Sequence, residues 1–223
     1  MSGVGIVNGM KEIAAAMLVA APSRRRRRRR LIALFLDGLR ARGEGASLVH
    51  VLWLFLASLA FVVVKGPHDA LQLTALLALF ASLMATSLFD AAYLIVPDRQ
   101  IGVMLASAAL FLTRFDGAEI LAHIAAAAAA WGLLTLVSFA YERRTGRSGL
   151  GAGDAKLFGA AGLWLGPAGL PSCLLAAVAS ALVSAAIERK AGAPAAHEHV
   201  LPFGPHLALG LWLTLAFGPL DWI

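Results

Sequence analysis

The chain has 223 residues, of which 60% are hydrophobic and only 14% charged, with a formal net charge of +6. A soluble domain of this length is nearer half apolar and a quarter charged, so there is too little polar side chain here to cover a water-soluble globule. The single cysteine, Cys173, excludes an intramolecular disulfide and a cysteine-rich zinc cluster, and it reads as a small packing residue.

Residues 1–47 form a basic tail to which no chemistry is assigned. The stretch "GIVNGMKEIAAAMLVAAPS" is interrupted by Lys11 and Glu12 and lacks the basic, apolar, cleavage-site order of a signal peptide. Arg24 to Arg30 form an unbroken run that anionic lipid would attract at a membrane surface, and nucleic acid is not expected as a partner.

Residues 48–223 are expected to form a transmembrane domain. A helical span needs about 20 mostly apolar residues, and seven candidates follow in order: 48–64, 70–89, 101–113, 118–140, 157–169, 171–187 and 205–219. All must be helices, because lipid offers backbone groups no partners and no closed-barrel alternation is present. The predicted fold is therefore an all-α, polytopic helix bundle of about seven spans. The second candidate, "ALQLTALLALFASLMATSLF", is the clearest. The fourth, "ILAHIAAAAAAWGLLTLVSFA", is rich in small residues that let helices approach closely. Of the 19 Lys and Arg residues, 17 fall in the tail and the even-numbered exits; only Lys65 and Arg114 fall on the other side. That asymmetry places the N-terminus in the cytoplasm of a multi-pass protein.

Two carboxylates stand where spans meet the cytoplasmic face. Asp90 ends the second span in "SLFDAAYLIVPDRQ", and Asp154 opens the fifth in "GLGAGDAKLF". An ionisable group at a membrane boundary is costly and points to function. Asp154 has a structural alternative as the cap of a helix starting at Ala155, and Asp98 has the same alternative for the third span. Asp90 has none, since a negative charge opposes the dipole at a helix C-terminus. His197 and His199 flank Glu198 in a loop without further ligands, so no metal site is expected.

Two carboxyls side by side share one proton, which suits amide hydrolysis: one activates water and the other delivers a proton. The helix-end fields favour charge on Asp154, reinforced by Lys156 if its ammonium turns inward, and favour a neutral Asp90. Gly151 and Gly153 allow a close approach where a side chain would clash, and Phe203-Gly204-Pro205 opens the last span with Pro205 in its first turn. Asp98 and Arg99 are secondary candidates, for capping or substrate contact. A proton-coupled carrier is an alternative, but no internal repeat is visible and both acids lie at one face. A non-catalytic assembly protein of the same fold is another.

Three stretches together resemble the type IV prepilin peptidases. Asp90 to Asp98 resembles their aspartate, six spacers, proline, aspartate pattern, with Val96-Pro97 in place of the more usual Ile-Pro. "GAGDAK", Gly151 to Lys156, resembles their Gly-x-Gly-Asp-x-Lys motif. "LPFGPHLALG", Leu201 to Gly210, resembles their Phe-Gly-Pro segment, with His206 where Phe is frequent. The resemblance implies an intramembrane aspartyl protease of the bacterial inner membrane, with Asp90 and Asp154 catalytic. Its substrates would be prepilins or pilin-like subunits of type IV pili and type II secretion systems. It implies no cofactor for proteolysis; S-adenosylmethionine would be required only if N-methylation is retained. Many methylating members carry four zinc-binding cysteines in a loop near the N-terminus, and this chain resembles the short, peptidase-only members instead.

Overall fold

The computed structural model describes residues 69–146, 151–190 and 201–219, together with Phe55, Leu56, Ser58 and Leu59. The polyarginine run, most of the first expected span, and His197 to His199 lie outside the described residues. Among the described residues from Asp69 onward, five helices follow one another: α1 (Ala70–Tyr93), α2 (Asp98–Leu112), α3 (Gly117–Thr145), α4 (Ala152–Lys190) and α5 (Gly204–Phe217). Among the described residues, α1, α3 and α4 are long and apolar enough to cross a membrane, and α5 is a shorter apolar helix.

Local chemistry explains the helix ends. The Asp69 carboxylate accepts the Leu71 N–H and caps α1. Asp116 and Glu119 form a reciprocal capping box at the start of α3, which stops at Gly146 in the left-handed region, φ 66°. Arg143 and Arg144 occupy the last turn of α3, and Arg189 and Lys190 that of α4, where cations suit the dipole.

The helix α4 is two arms rather than one rod. Gly166 has φ 64° and ψ −173°, a conformation for which glycine is suited, and Pro167 follows it. Pro167 has no N–H to offer the Leu163 carbonyl; His123 Nδ1 lies 2.8 Å from that oxygen and takes the place of the missing donor. Contacts on each side of the break give the directions. In the first arm, Gly159, Gly162 and Gly166 lie against Trp131, Ala127 and His123, so it runs antiparallel to α3. In the second arm, Gly169 lies near Thr214, Cys173 and Ala177 meet Gly210, and Ser180 Oγ is 2.8 Å from His206 Nδ1. That arm therefore runs back toward the start of α5. A straight α4 would carry Ser180 roughly 39 Å beyond Asp154. The segments expected as the fifth and sixth spans thus fall on the two arms of one helix, and the break lies at residues 166–167 rather than between 169 and 171. Glycine freedom and the missing proline N–H coincide at 166–167, whereas Pro171 is carried inside the second arm.

The remaining directions alternate. Ser82 Oγ donates to the Gln100 carbonyl and Gln72 Nε2 to that of Leu110, which makes α1 and α2 antiparallel. Trp164 Nε1 donates to the Met104 carbonyl, which aligns the first arm of α4 beside α2. Consequently the C-terminus of α1 and the N-termini of α2, α4 and α5 meet at one end of the bundle. Leu79, Leu83, Met104, Leu157, Trp164, Leu207 and Trp212 fill the centre. The Trp212 indole also donates to Ser58 Oγ, which ties the described part of the first expected span to the core. Leu121, Leu136 and Leu182 point outward, as apolar residues do toward lipid.

Candidate active site

Asp90 lies in the last turn of α1 and is buried. Its Oδ2 accepts the Gly204 N–H at 2.9 Å. Gly204 is the first residue of α5, and Phe203 before it provides no side-chain cap. Asp90 therefore caps α5 from another helix. This corrects the expectation that Asp90 has no structural role: the charge that opposes the dipole of α1 faces the positive end of α5. It also narrows the field difference expected between the two acids, because Asp90, still in the last turn of α1, now faces a helix N-terminus as Asp154 does.

Asp154 is buried in the first turn of α4, which starts at Ala152 rather than Ala155. It is not the N-cap. Its Oδ2 instead reaches back to accept the Gly151 N–H at 3.3 Å, half of a capping box to which glycine has no side chain to reply. Its Oδ1 is buried without a hydrogen-bond partner. The Asp90 carboxyl is close enough to act on Asp154 electrostatically.

Two contacts clamp the α1–α2 turn, itself closed by Leu94, onto the start of α4. Leu94 takes the left-handed conformation, φ 53°, and its N–H bonds the Asp90 carbonyl at 2.8 Å. Val96 then presses on Gly153, where an added Cβ would lie 2.8 Å from Val96 Cβ and 2.9 Å from Cγ2. Finally Lys156 Nζ pairs with Asp98 Oδ1 at 2.6 Å. Two expectations are corrected here. Lys156 turns to Asp98 rather than to the dyad. Asp98, the first residue of α2, leaves the capping position to Pro97, which makes no side-chain cap. Arg99 is exposed.

Phe203 is half-buried, and Gly204 and Pro205 are buried at the start of α5. The structure thus gathers Asp90, Pro97, Asp98, Gly151, Gly153, Asp154, Lys156 and Gly204 at one end of the bundle. Sequence reasoning missed the Gly204 hydrogen bond and the Val96–Gly153 contact. Val96 stands inside the first motif, but nothing in its neighbours announces a partner 57 residues away.

The close approach at Gly153 is thus within the chain. Gly153→Val should lower any activity of the site at least about tenfold by forcing the two aspartates apart. Val96→Gly in the same chain should restore most of it, because both crowded Val96 atoms are removed. Rates measured at matched membrane levels check this, and failure of the second substitution to rescue would detach Val96 from the effect.

The model of the type IV leader peptidase family matches residues 77–186, a stretch that contains Asp90 and Asp154. The prepilin leader peptidase/N-methyltransferase of Dichelobacter nodosus is 32% identical over 197 residues, covering 83% of this chain and 64% of that protein. The protein of the same name from Stutzerimonas stutzeri is 30% identical over 154 residues, 66% of this chain and 50% of that one. The one from Escherichia coli strain K12 is 29% identical over 168 residues, 74% of this chain and 71% of that one. The chain spans less than two thirds of the length of the first two. No solved structure matches the chain.

Proposed function

The chain belongs to the type IV leader peptidase family, and from that premise we propose that it is an aspartyl endopeptidase embedded in the bacterial inner membrane. It removes the basic leader from prepilins or pilin-like secretion subunits at the cytoplasmic face. The observation that carries this reading is the convergence of Asp90, Asp154 and Gly204 at one end of the bundle.

Two carboxyls in electrostatic contact hold one proton between them. The ionised one takes a proton from water as the water oxygen attacks the scissile carbonyl carbon. The protonated one gives its proton to the carbonyl oxygen. Return of a proton to the departing nitrogen then releases the leader. Asp154 Oδ1, buried and without a partner, is an oxygen that water or the carbonyl can occupy. A proton carrier would instead call for acids at mid-depth.

The end that holds the dyad also holds Arg99, Arg143, Arg144, Lys156, Arg189 and Lys190, whereas Asp69, Arg114, Asp116 and Glu119 lie at the other. By the positive-inside rule the dyad then faces the cytoplasm, where a basic leader remains, and the polyarginine tail lies against anionic lipid. A cysteine at Asp116 should react with an impermeant maleimide in intact cells, and one at Arg144 only after the membrane is opened. The buried native Cys173 gives little background. The reverse labelling would put the dyad on the wrong side for its substrate.

Proteolysis by the dyad is proposed without a cofactor. The test is leader removal from a prepilin in detergent, read by gel shift. A product shortened by the leader is expected, and intact prepilin-type substrates after exhaustive incubation would overturn the proposal.

A further inference from the structure

Thr86 stands one turn before Asp90 on the buried face of α1 and is 0% exposed. Its hydroxyl has no hydrogen-bond partner. That sets it apart from the other threonines in the described helices. The hydroxyls of Thr74, Thr135, Thr145 and Thr214 each donate to the carbonyl four residues back, at 2.7 to 2.9 Å. Ser87, its neighbour on α1, does the same to Leu83 at 2.8 Å. A back-bond is the simplest way for a hydroxyl to satisfy itself in a dry helix. Thr86 forgoes it, although leaving a buried hydroxyl unsatisfied costs stability.

The geometry of α1 gives that hydroxyl a neighbour. Residues four apart on a helix lie about 5–6 Å apart at Cβ. Side chains also lean toward the helix N-terminus, so the Asp90 carboxyl is carried back over the turn that holds Thr86. We propose that Thr86 is a positioning residue for the dyad. Its hydroxyl turns to the Asp90 carboxyl during the reaction, donating when Asp90 is ionised and accepting when Asp90 carries the shared proton. A hydroxyl can do both because it holds one proton and two lone pairs and rotates freely when no back-bond holds it. This role rests on the proteolytic reading above.

Three proteins test it: wild type, Thr86→Val and Thr86→Ser, each purified full length and given a prepilin substrate. Valine keeps the branched shape and loses the hydroxyl; serine keeps the hydroxyl and loses the methyl. Thr86→Val should lower kcat at least about tenfold with KM unchanged, while raising Tm, because an unsatisfied buried hydroxyl is gone. Thr86→Ser should stay within about twofold of wild type in kcat, with a lower Tm from the lost methyl. A packing role gives the opposite order of activity, with valine best and serine worst. Full activity of Thr86→Val, or serine as inactive as valine, overturns the proposal and leaves the protease reading standing. No cleavage by wild type overturns the protease reading, and the role of Thr86 falls with it.

Discussion

Asp90→Asn and Asp154→Asn should each reduce leader cleavage at least about a thousandfold while leaving the protein folded in the membrane. The amide preserves the structural half of each carboxylate. An asparagine oxygen at position 90 can still accept the Gly204 N–H, so α5 keeps its cap, and one at position 154 can still accept the Gly151 N–H. Neither amide can take a proton from water or deliver one to the scissile bond. Loss of activity at preserved Tm therefore isolates the proton chemistry from the packing. Asp98→Asn is the control within the same cluster. It breaks only an exposed pair with Lys156, an interaction worth about 0–1 kcal/mol, and should change the rate less than about twofold. Gel shift of a prepilin by matched amounts of each protein reads all three. Near-normal cleavage by either dyad variant removes that aspartate from the chemistry.

Gly204→Ala should cost at least about a hundredfold, although it alters no ionisable group. The added Cβ would sit 2.6 Å from Asp90 Oδ2 and 2.9 Å from Cγ, closer than atoms can approach. Something must shift: the carboxyl swings away from the dyad, or the first turn of α5 retreats and withdraws its N–H. Either movement displaces Asp90 relative to Asp154, and a displacement of about 1 Å is enough to lose two orders of magnitude. The expected signature is a fall in kcat with the level of protein in the membrane unchanged. Unchanged kcat would mean that Asp90 works without the Gly204 contact, and the Phe-Gly-Pro segment would then be only a helix start.

Some of this was readable from local chemistry. The long apolar helices α1, α3 and α4 announce themselves because transfer into lipid depends on the residues of one stretch alone. Asp90 and Asp154 stand out because charges are rare among long apolar runs. The start of α4 and the capping of α2 were misjudged for a similarly local reason. An aspartate before or within the first turn suits more than one position, and only the backbone chooses among them.

The sequence by itself determined that the protein is helical and membrane-embedded, that its two candidate acids lie at span ends, and that glycines accompany them. Only the tertiary structure decided that Asp90 caps α5, that Val96 fills the space over Gly153, that Lys156 pairs with Asp98, and that α4 turns back at Gly166. Each of these depends on how a helix is rotated about its axis. In water an apolar stripe fixes that rotation, but a helix apolar all round has no such stripe. α3 buries only Ala126, Ala130 and Leu134 and shows lipid-facing residues elsewhere. Rotation is set instead by where small residues let backbones touch, as Gly162 does against Ala127 and Gly210 against Cys173. Which small residue meets which neighbour is a property of the assembled bundle.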